Sequence, residues 1–217
     1  MLPSFAQEFM SSQFELDWRD EFRGKGLPDS SRWGYEVGKV RNQEAQYYTF
    51  RRTENVRKEK GCLVIETRRE PFEGSEYTSG SINTEGLYHF TGDFRVEVRA
   101  KLPFGKGIWP AIWMMGTSRK EVGWPRCGEL DIMEFVGHTP DTVHVNMHWF
   151  DVPSDKKSSR GAKLALNTLH NRFHVYSLER VGSVIQIFLH PALGADLHGG
   201  VNLSVAEIRQ GAAARKE

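Results

Sequence analysis

The chain has 217 residues, with 29 Lys and Arg against 28 Asp and Glu, a formal net charge of +1, and 39% hydrophobic residues. That length is enough for one domain with a sizeable core, and the near-neutral balance gives no electrostatic case for nucleic acid or an anionic membrane as partner. No apolar run approaches the ~18 residues needed to span a bilayer, and the two cysteines, Cys62 and Cys127, allow at most one bridge, with two buried free thiols as the other reading.

The start, MLPSFAQEFMSSQFELDW, lacks the basic n-region and apolar h-region of an export signal, and the compartment stays unassigned. Strand-forming segments then follow one another: CLVIETRR (62–69), FRVEVRAKL (94–102), AIWMMG (111–116), ELDIMEFV (129–136), TVHVNMHWF (142–150), FHVYSLERV (173–181) and SVIQIFL (183–189). They are rich in β-branched and aromatic residues, and Gly, Pro, Asn, Asp or Ser clusters separate them. Short helices are expected only around Ala162 to Leu169 and in the tail. The pattern predicts an all-β chain, a two-sheet antiparallel β-sandwich forming a single domain over residues 1–217.

Residues 128–137, GELDIMEFVG, place Glu129, Asp131 and Glu134 among apolar, strand-forming neighbours. On a regular strand side chains alternate faces, so Glu129 and Asp131 share one face while Glu134 points away. One β-bulge restores the face, and all three acids then line one surface with Leu130 and Ile132 packing behind. At ~3.3 Å per residue the two glutamate Cα atoms lie roughly 13 Å apart, and inward-leaning side chains leave about 5 Å between carboxyls, the spacing of retaining glycosidases. Acid-rich strands also occur as solvated edges or calcium-binding faces, so the flanks matter. Here they supply Trp109, Trp113, Trp124 and Trp149, whose ring faces suit the apolar faces of pyranoses. Trp109 and Trp113 are four apart and of the same parity, so one face of one strand can carry both; a core position is the rival for either.

GWPRCGELDIMEFVG, together with DEF (20–22), NQEAQYYT (42–49), ENV (54–56), YTSGSINT (77–84), FRVEVRAKLPFGKGIWPAIWMMG (94–116), VHVNMH (143–148) and FHVYSLE (173–179), resembles glycoside hydrolase family 16, in its laminarinase-like endo-β-1,3-glucanase branch. The resemblance runs from about residue 14 to residue 189 and implies a curved jelly roll of the concanavalin A-like type. By position in the motif it implies Glu129 as nucleophile, Glu134 as general acid/base and Asp131 assisting. It further implies that His148 hydrogen-bonds near the reaction centre, that Asn42 contacts sugar hydroxyls, and that Trp109, Trp113 and Trp124 bind substrate. A structural histidine and an ordinary turn asparagine are the competing readings of His148 and Asn42; His144 shares the parity of His148.

The implied substrate is a β-1,3-glucan or β-1,3/1,4-glucan taken by a monomer, without a required cofactor, in relatives that are usually secreted or periplasmic. The histidines lack the spacing of zinc sites and ExDxxE is no EF-hand loop, so no metal is assigned to the site. Some family members hold one structural calcium between the N-terminal segment and the last strand. After FHVYSLE the chain departs from the family: Arg180 stands where a tryptophan is expected, and residues 190–217 match none of its closing strands, reading as a short helix or a disordered tail. Two other functions therefore stand beside hydrolysis of laminarin-type glucans: a non-catalytic β-glucan-binding module or inactive remnant, and a family 16 hydrolase of another polysaccharide such as agar or carrageenan.

Overall fold

The computed structural model describes residues 14–166, 169, 172–191 and 201–205. Its contacts divide the chain into two units, residues 1–90 and 91–217. The first contains β1 (Gly34–Tyr35), β2 (Gln46–Tyr48), β3 (Val56–Glu59), β4 (Cys62–Ile65), β5 (Arg68–Phe72), β6 (Ser75–Ser79) and β7 (Ile82–Asn83). β3 and β4 form a hairpin in which Glu59 faces Cys62, and β5 and β6 a second in which Phe72 faces Ser75. Their turns, Lys60-Gly61 and Glu73-Gly74, place both central residues at positive φ, the primed turn whose twist matches that of paired strands. The expected strand over 62–69 is therefore two strands, because the chain leaves the first pairing after Ile65 and enters a second at Arg68. β2 pairs in parallel with β6, and β1 pairs with β7.

The second unit contains β8 (Phe94–Ala100), β9 (Ala111–Met115), a four-residue helix α1 (Arg119–Val122), β10 (Glu129–Phe135), β11 (Thr142–Asp151), β12 (Lys156–Ala165), β13 (His174–Val181), β14 (Val184–Pro191) and β15 (Val201–Val205). Two four-stranded antiparallel sheets form, ordered β12-β11-β10-β9 and β15-β14-β13-β8. Alternation decides their facing sides. Phe135, Val143, Val145 and Leu164 of the first sheet meet Tyr176, Leu178, Ile187 and Leu189 of the second in one buried cluster, the packing of a β-sandwich. Fully burying a side chain such as Phe135, which has no exposed surface, contributes about 2–3 kcal/mol.

Three expectations change. Residues 162–165 of the short helix placed around Ala162 to Leu169 are instead the end of strand β12, whose ten residues pair one for one with β11; residues 167 and 168 lie outside the described residues. Neighbouring strand edges decide the conformation there, over the helix preference of its Ala, Lys and Leu. Within the 190–217 stretch read as helical or disordered, residues 201–205 pair antiparallel with β14; residues 192–200 and 206–217 lie outside the described residues. Trp109 does not share a strand with Trp113: β9 begins at Ala111, after Pro110, which has no N–H to give a ladder. Cys62 and Cys127 are free. Among the described residues no helix is long and apolar enough to cross a membrane.

Candidate active site

β10 carries the three acids because of a defect in its ladder. Glu129 and Asp131 stand opposite His148 and Asn146 of β11, and Glu134 stands opposite His144. Ile132 and Met133 therefore share the space across from a single β11 residue, Val145, and both are buried. On the other side Asp131 faces Trp113 and Glu134 faces Ala111, with Met133 facing Ile112. This is the bulge that the acid spacing demanded: an extra residue goes into the core, and the third carboxylate returns to the face of the first two. Cross-strand partners point the same way, so Glu129, Asp131, Glu134, Trp113, His144, Asn146 and His148 share one face, while Leu130 packs with Ile132 and Phe135 against the sandwich core.

The start of the bulged strand is fixed by a close backbone approach. A Cβ at Gly116 would lie 1.7 Å from the carbonyl oxygen of Cys127, so only glycine lets the end of β9 reach the Cys127-Gly128 turn. Gly116 N–H donates to the Gly128 carbonyl at 3.1 Å, placing Glu129 at the first pairing position of β10.

Asp131 is the centre of the site. It is 3% exposed and packed between two other acids. Burial foremost, then the charges of Glu134 and Glu129 and a hydrogen bond with Glu129, push its pKa up to about 8. At neutral pH Asp131 thus keeps a proton and donates it in a hydrogen bond to Glu129. His148 brings Nε2 to 3.4 Å from Asp131 Oδ2, and its Nδ1 is buried without a partner. Asn146 donates from Nδ2 to Glu134 Oε2. Each glutamate therefore has its own polar neighbour: Asp131 for Glu129 and Asn146 for Glu134.

The aromatic candidates separate. Trp113 is half-buried beside Asp131. Trp124 follows α1 and is 46% exposed; its ring lies 6.2 Å from that of His148, and Lys157 Nζ sits 4.1 Å from its centroid. Trp109 is 55% exposed on the segment before β9. Asn42 lies in the first unit at positive φ, on a loop spanning 39–45. Asn146 and Lys157 were not singled out in the sequence. The parity that groups His144 with His148 also selects Asn146, the residue midway between them.

Glu129, Asp131 and His148 each offer a ligand atom within 4.8 Å of the others. Two carboxylates and an imidazole are an adequate donor set for a divalent cation. Burial and the charges of Glu134 and Glu129 favour a proton on Asp131, and a cation bound there would have to displace it. The structural calcium that some family members hold between the N-terminal segment and the last strand would involve β15, whose side chains lie outside the described ones.

A two-sheet β-sandwich bearing a bulged strand of three carboxylates is a recognisable class of carbohydrate-active protein. The model for "Glycosyl hydrolases family 16" matches residues 42–187, and the chain belongs to that family. It is 45% identical over 185 residues to a beta-glucanase of Rhodothermus marinus, covering 83% of this chain and 64% of that protein. To a glucan endo-1,3-beta-glucosidase of Cryptopygus antarcticus it is 40% identical over 155 residues, covering 68% and 56%. The chain thus spans less than two thirds of the length of these two relatives. Among solved structures it is similar to a mutant of a non-specific endo-beta-1,3(4)-glucanase of family 16, co-crystallised with 1,3-beta-D-cellotriosyl-glucose. The TM-score is 0.75 and the identity 39%, covering 82% of this chain and 72% of that one.

Proposed function

We propose that the chain hydrolyses internal β-1,3-glucosidic bonds of glucans such as laminarin, tolerating neighbouring β-1,4 linkages, with retention of anomeric configuration. The observation that carries this reading is the bulge, which puts Glu129 and Glu134 on one face with a protonated Asp131 between them. Glu129, ionised, attacks the anomeric carbon as the glycosidic C–O bond breaks, and Glu134 gives its proton to the departing oxygen. Water then attacks the glycosyl-enzyme ester; Glu134 takes the water's proton, and Glu129 leaves as a carboxylate. Asp131 donates its hydrogen bond to Glu129, fixing the orientation of the nucleophile. Trp124 and Trp109, both largely exposed, supply ring faces for glucosyl units, and Trp113 borders the reacting centre. His148 packs on Asp131 and Trp124, which joins the acid cluster to the sugar platform. For Asn42, contact with a sugar hydroxyl is part of the same proposal.

Release of reducing sugar from laminarin by the purified chain and by Glu129→Gln tests the reading. The wild type is expected to release oligosaccharides, and the variant to keep its far-UV spectrum while losing about a hundredfold or more in rate. A folded wild type that binds laminarin without cleaving it would make the chain a binding module instead.

A further inference from the structure

Asn146 is held from two directions. On one side its Nδ2 donates to Glu134 Oε2. On the other lies Gly161 of β12, its register partner. A Cβ at residue 161 would lie 2.1 Å from Asn146 Oδ1, 3.1 Å from Asn146 Cγ and 2.8 Å from the Val145 carbonyl oxygen. The carboxamide therefore rests on bare backbone, and any side chain at 161 would occupy the space its oxygen fills.

An amide nitrogen donates and does not accept. The Glu134 oxygen that meets Nδ2 is therefore the accepting one, a role that the carbonyl oxygen of the neutral acid fills better than its hydroxyl oxygen. In the neutral acid the proton then rides on Oε1, the oxygen left to face the glycosidic bond. Asn146 thus selects which Glu134 oxygen carries the transferable proton, and the bare position on β12 keeps Asn146 in place. We propose that Gly161 is a positioning residue for the acid/base: by leaving room for the Asn146 carboxamide it orients the carboxyl of Glu134, two strands away, for proton transfer to the leaving sugar. This rests on the assignment of Glu134 as acid/base in the glucanase reading.

The test compares the wild-type chain with Gly161→Ala, Asn146→Ala and the double variant on two substrates. One is a β-1,3-gluco-oligosaccharide, whose sugar leaving group needs a proton. The other is a dinitrophenyl β-laminaribioside, whose phenolate departs without one. In both single variants kcat/KM on the oligosaccharide should fall about tenfold or more further than on the aryl glycoside, because only the first uses the acid. Adding Gly161→Ala to Asn146→Ala should cost less than Gly161→Ala costs alone, since the nearest atom, Asn146 Oδ1, is gone and only the Val145 carbonyl oxygen at 2.8 Å remains.

Equal losses on the two substrates would overturn the proposal, pointing to a ladder distorted at the Val145 carbonyl. So would a double variant worse than Asn146→Ala by the whole Gly161→Ala factor. If Gly161→Ala alone fails to fold, recovery of folding in the double variant supports the contact through Asn146, and continued failure overturns it. A wild type inactive on both substrates would sink the glucanase reading and this inference together; an active wild type with equal losses sinks only the inference.

Discussion

Around Glu70 in the first unit each charge meets its opposite, whereas around Asp131 in the second like charges are packed together. Arg52 grips Glu70 with both terminal nitrogens, and Thr78 donates to it as well. These bonds, Arg52 first, hold the Glu70 carboxyl down at about 2. Behind them Asn55, with no exposed surface, accepts from Thr49 at 2.9 Å and Arg52 at 3.1 Å and donates to the Glu66 carbonyl and Thr78 at 3.0 and 2.9 Å. Asp131 has two acids for neighbours, a histidine at 3.4 Å, and a pKa pushed up to about 8. Two clusters of similar residue types thus differ in what they do. A fully satisfied network fixes backbone segments in place, while an unsatisfied one stores a proton that chemistry can use.

Altering either cluster sharpens the contrast. Glu134→Gln should have the largest effect, lowering kcat on laminarin by about a hundredfold or more. It also removes one of the charges that raise Asp131, so the pKa of Asp131, followed by carboxyl NMR, should fall. An unmoved pKa would mean that burial and Glu129 set it without Glu134.

Asp131→Asn should come next. Between the unfolded value near 3.8 and the folded value near 8, the native state keeps a proton that the unfolded state has lost, so this group's contribution to stability declines as pH rises. An amide has no such proton to lose. The stability of Asp131→Asn relative to wild type should therefore climb across that window, by at most about 1.4 kcal/mol per pH unit, while laminarin hydrolysis falls. Chemical denaturation at several pH values reads the slope, and a flat difference would contradict a proton held on Asp131.

In the satisfied cluster, Asn55→Ala removes one hydrogen-bond partner each from Thr49, Arg52, Thr78 and the Glu66 carbonyl, and should cost about 2–3 kcal/mol in urea denaturation. Glu70→Gln should do least. Its folded pKa is depressed, so its contribution is present above about 4.5 and fades as pH drops through about 2. The variant should be slightly less stable than wild type at pH 7 and indistinguishable near pH 2. A deficit that persists in acid would assign the effect to packing.

The acid-bearing face was readable from the chain because charge in an apolar strand is conspicuous, and because parity arithmetic admits only one repair. Glu129, Asp131 and Glu134 therefore stood out. Asn146 did not, since an amide between Val145 and Met147 breaks no pattern, and its value depends on reaching Glu134 across the ladder. Strand β12 was misread for a related reason: KKSSRGAKLA has little β-branched character, and only its ten-residue pairing with β11 makes it a strand. The grip on Glu70 was equally hidden, because Arg52, Glu70 and Thr78 meet only once the chain has folded.

The two-for-one step at Ile132 and Met133 also has a genetic side. The orientation of Glu134 relative to Glu129 is set by how many residues separate them, and not by what those residues are. Conservative exchange at either buried position alters packing and leaves the face of Glu134 alone. Losing one codon there would straighten the strand and turn Glu134 inward toward the apolar layer. Such a lineage could keep its sheet and its exposed tryptophans yet lose the third acid from the shared face, so that on the proposed reading a length change of one separates a cleaving protein from one that only holds its glucan.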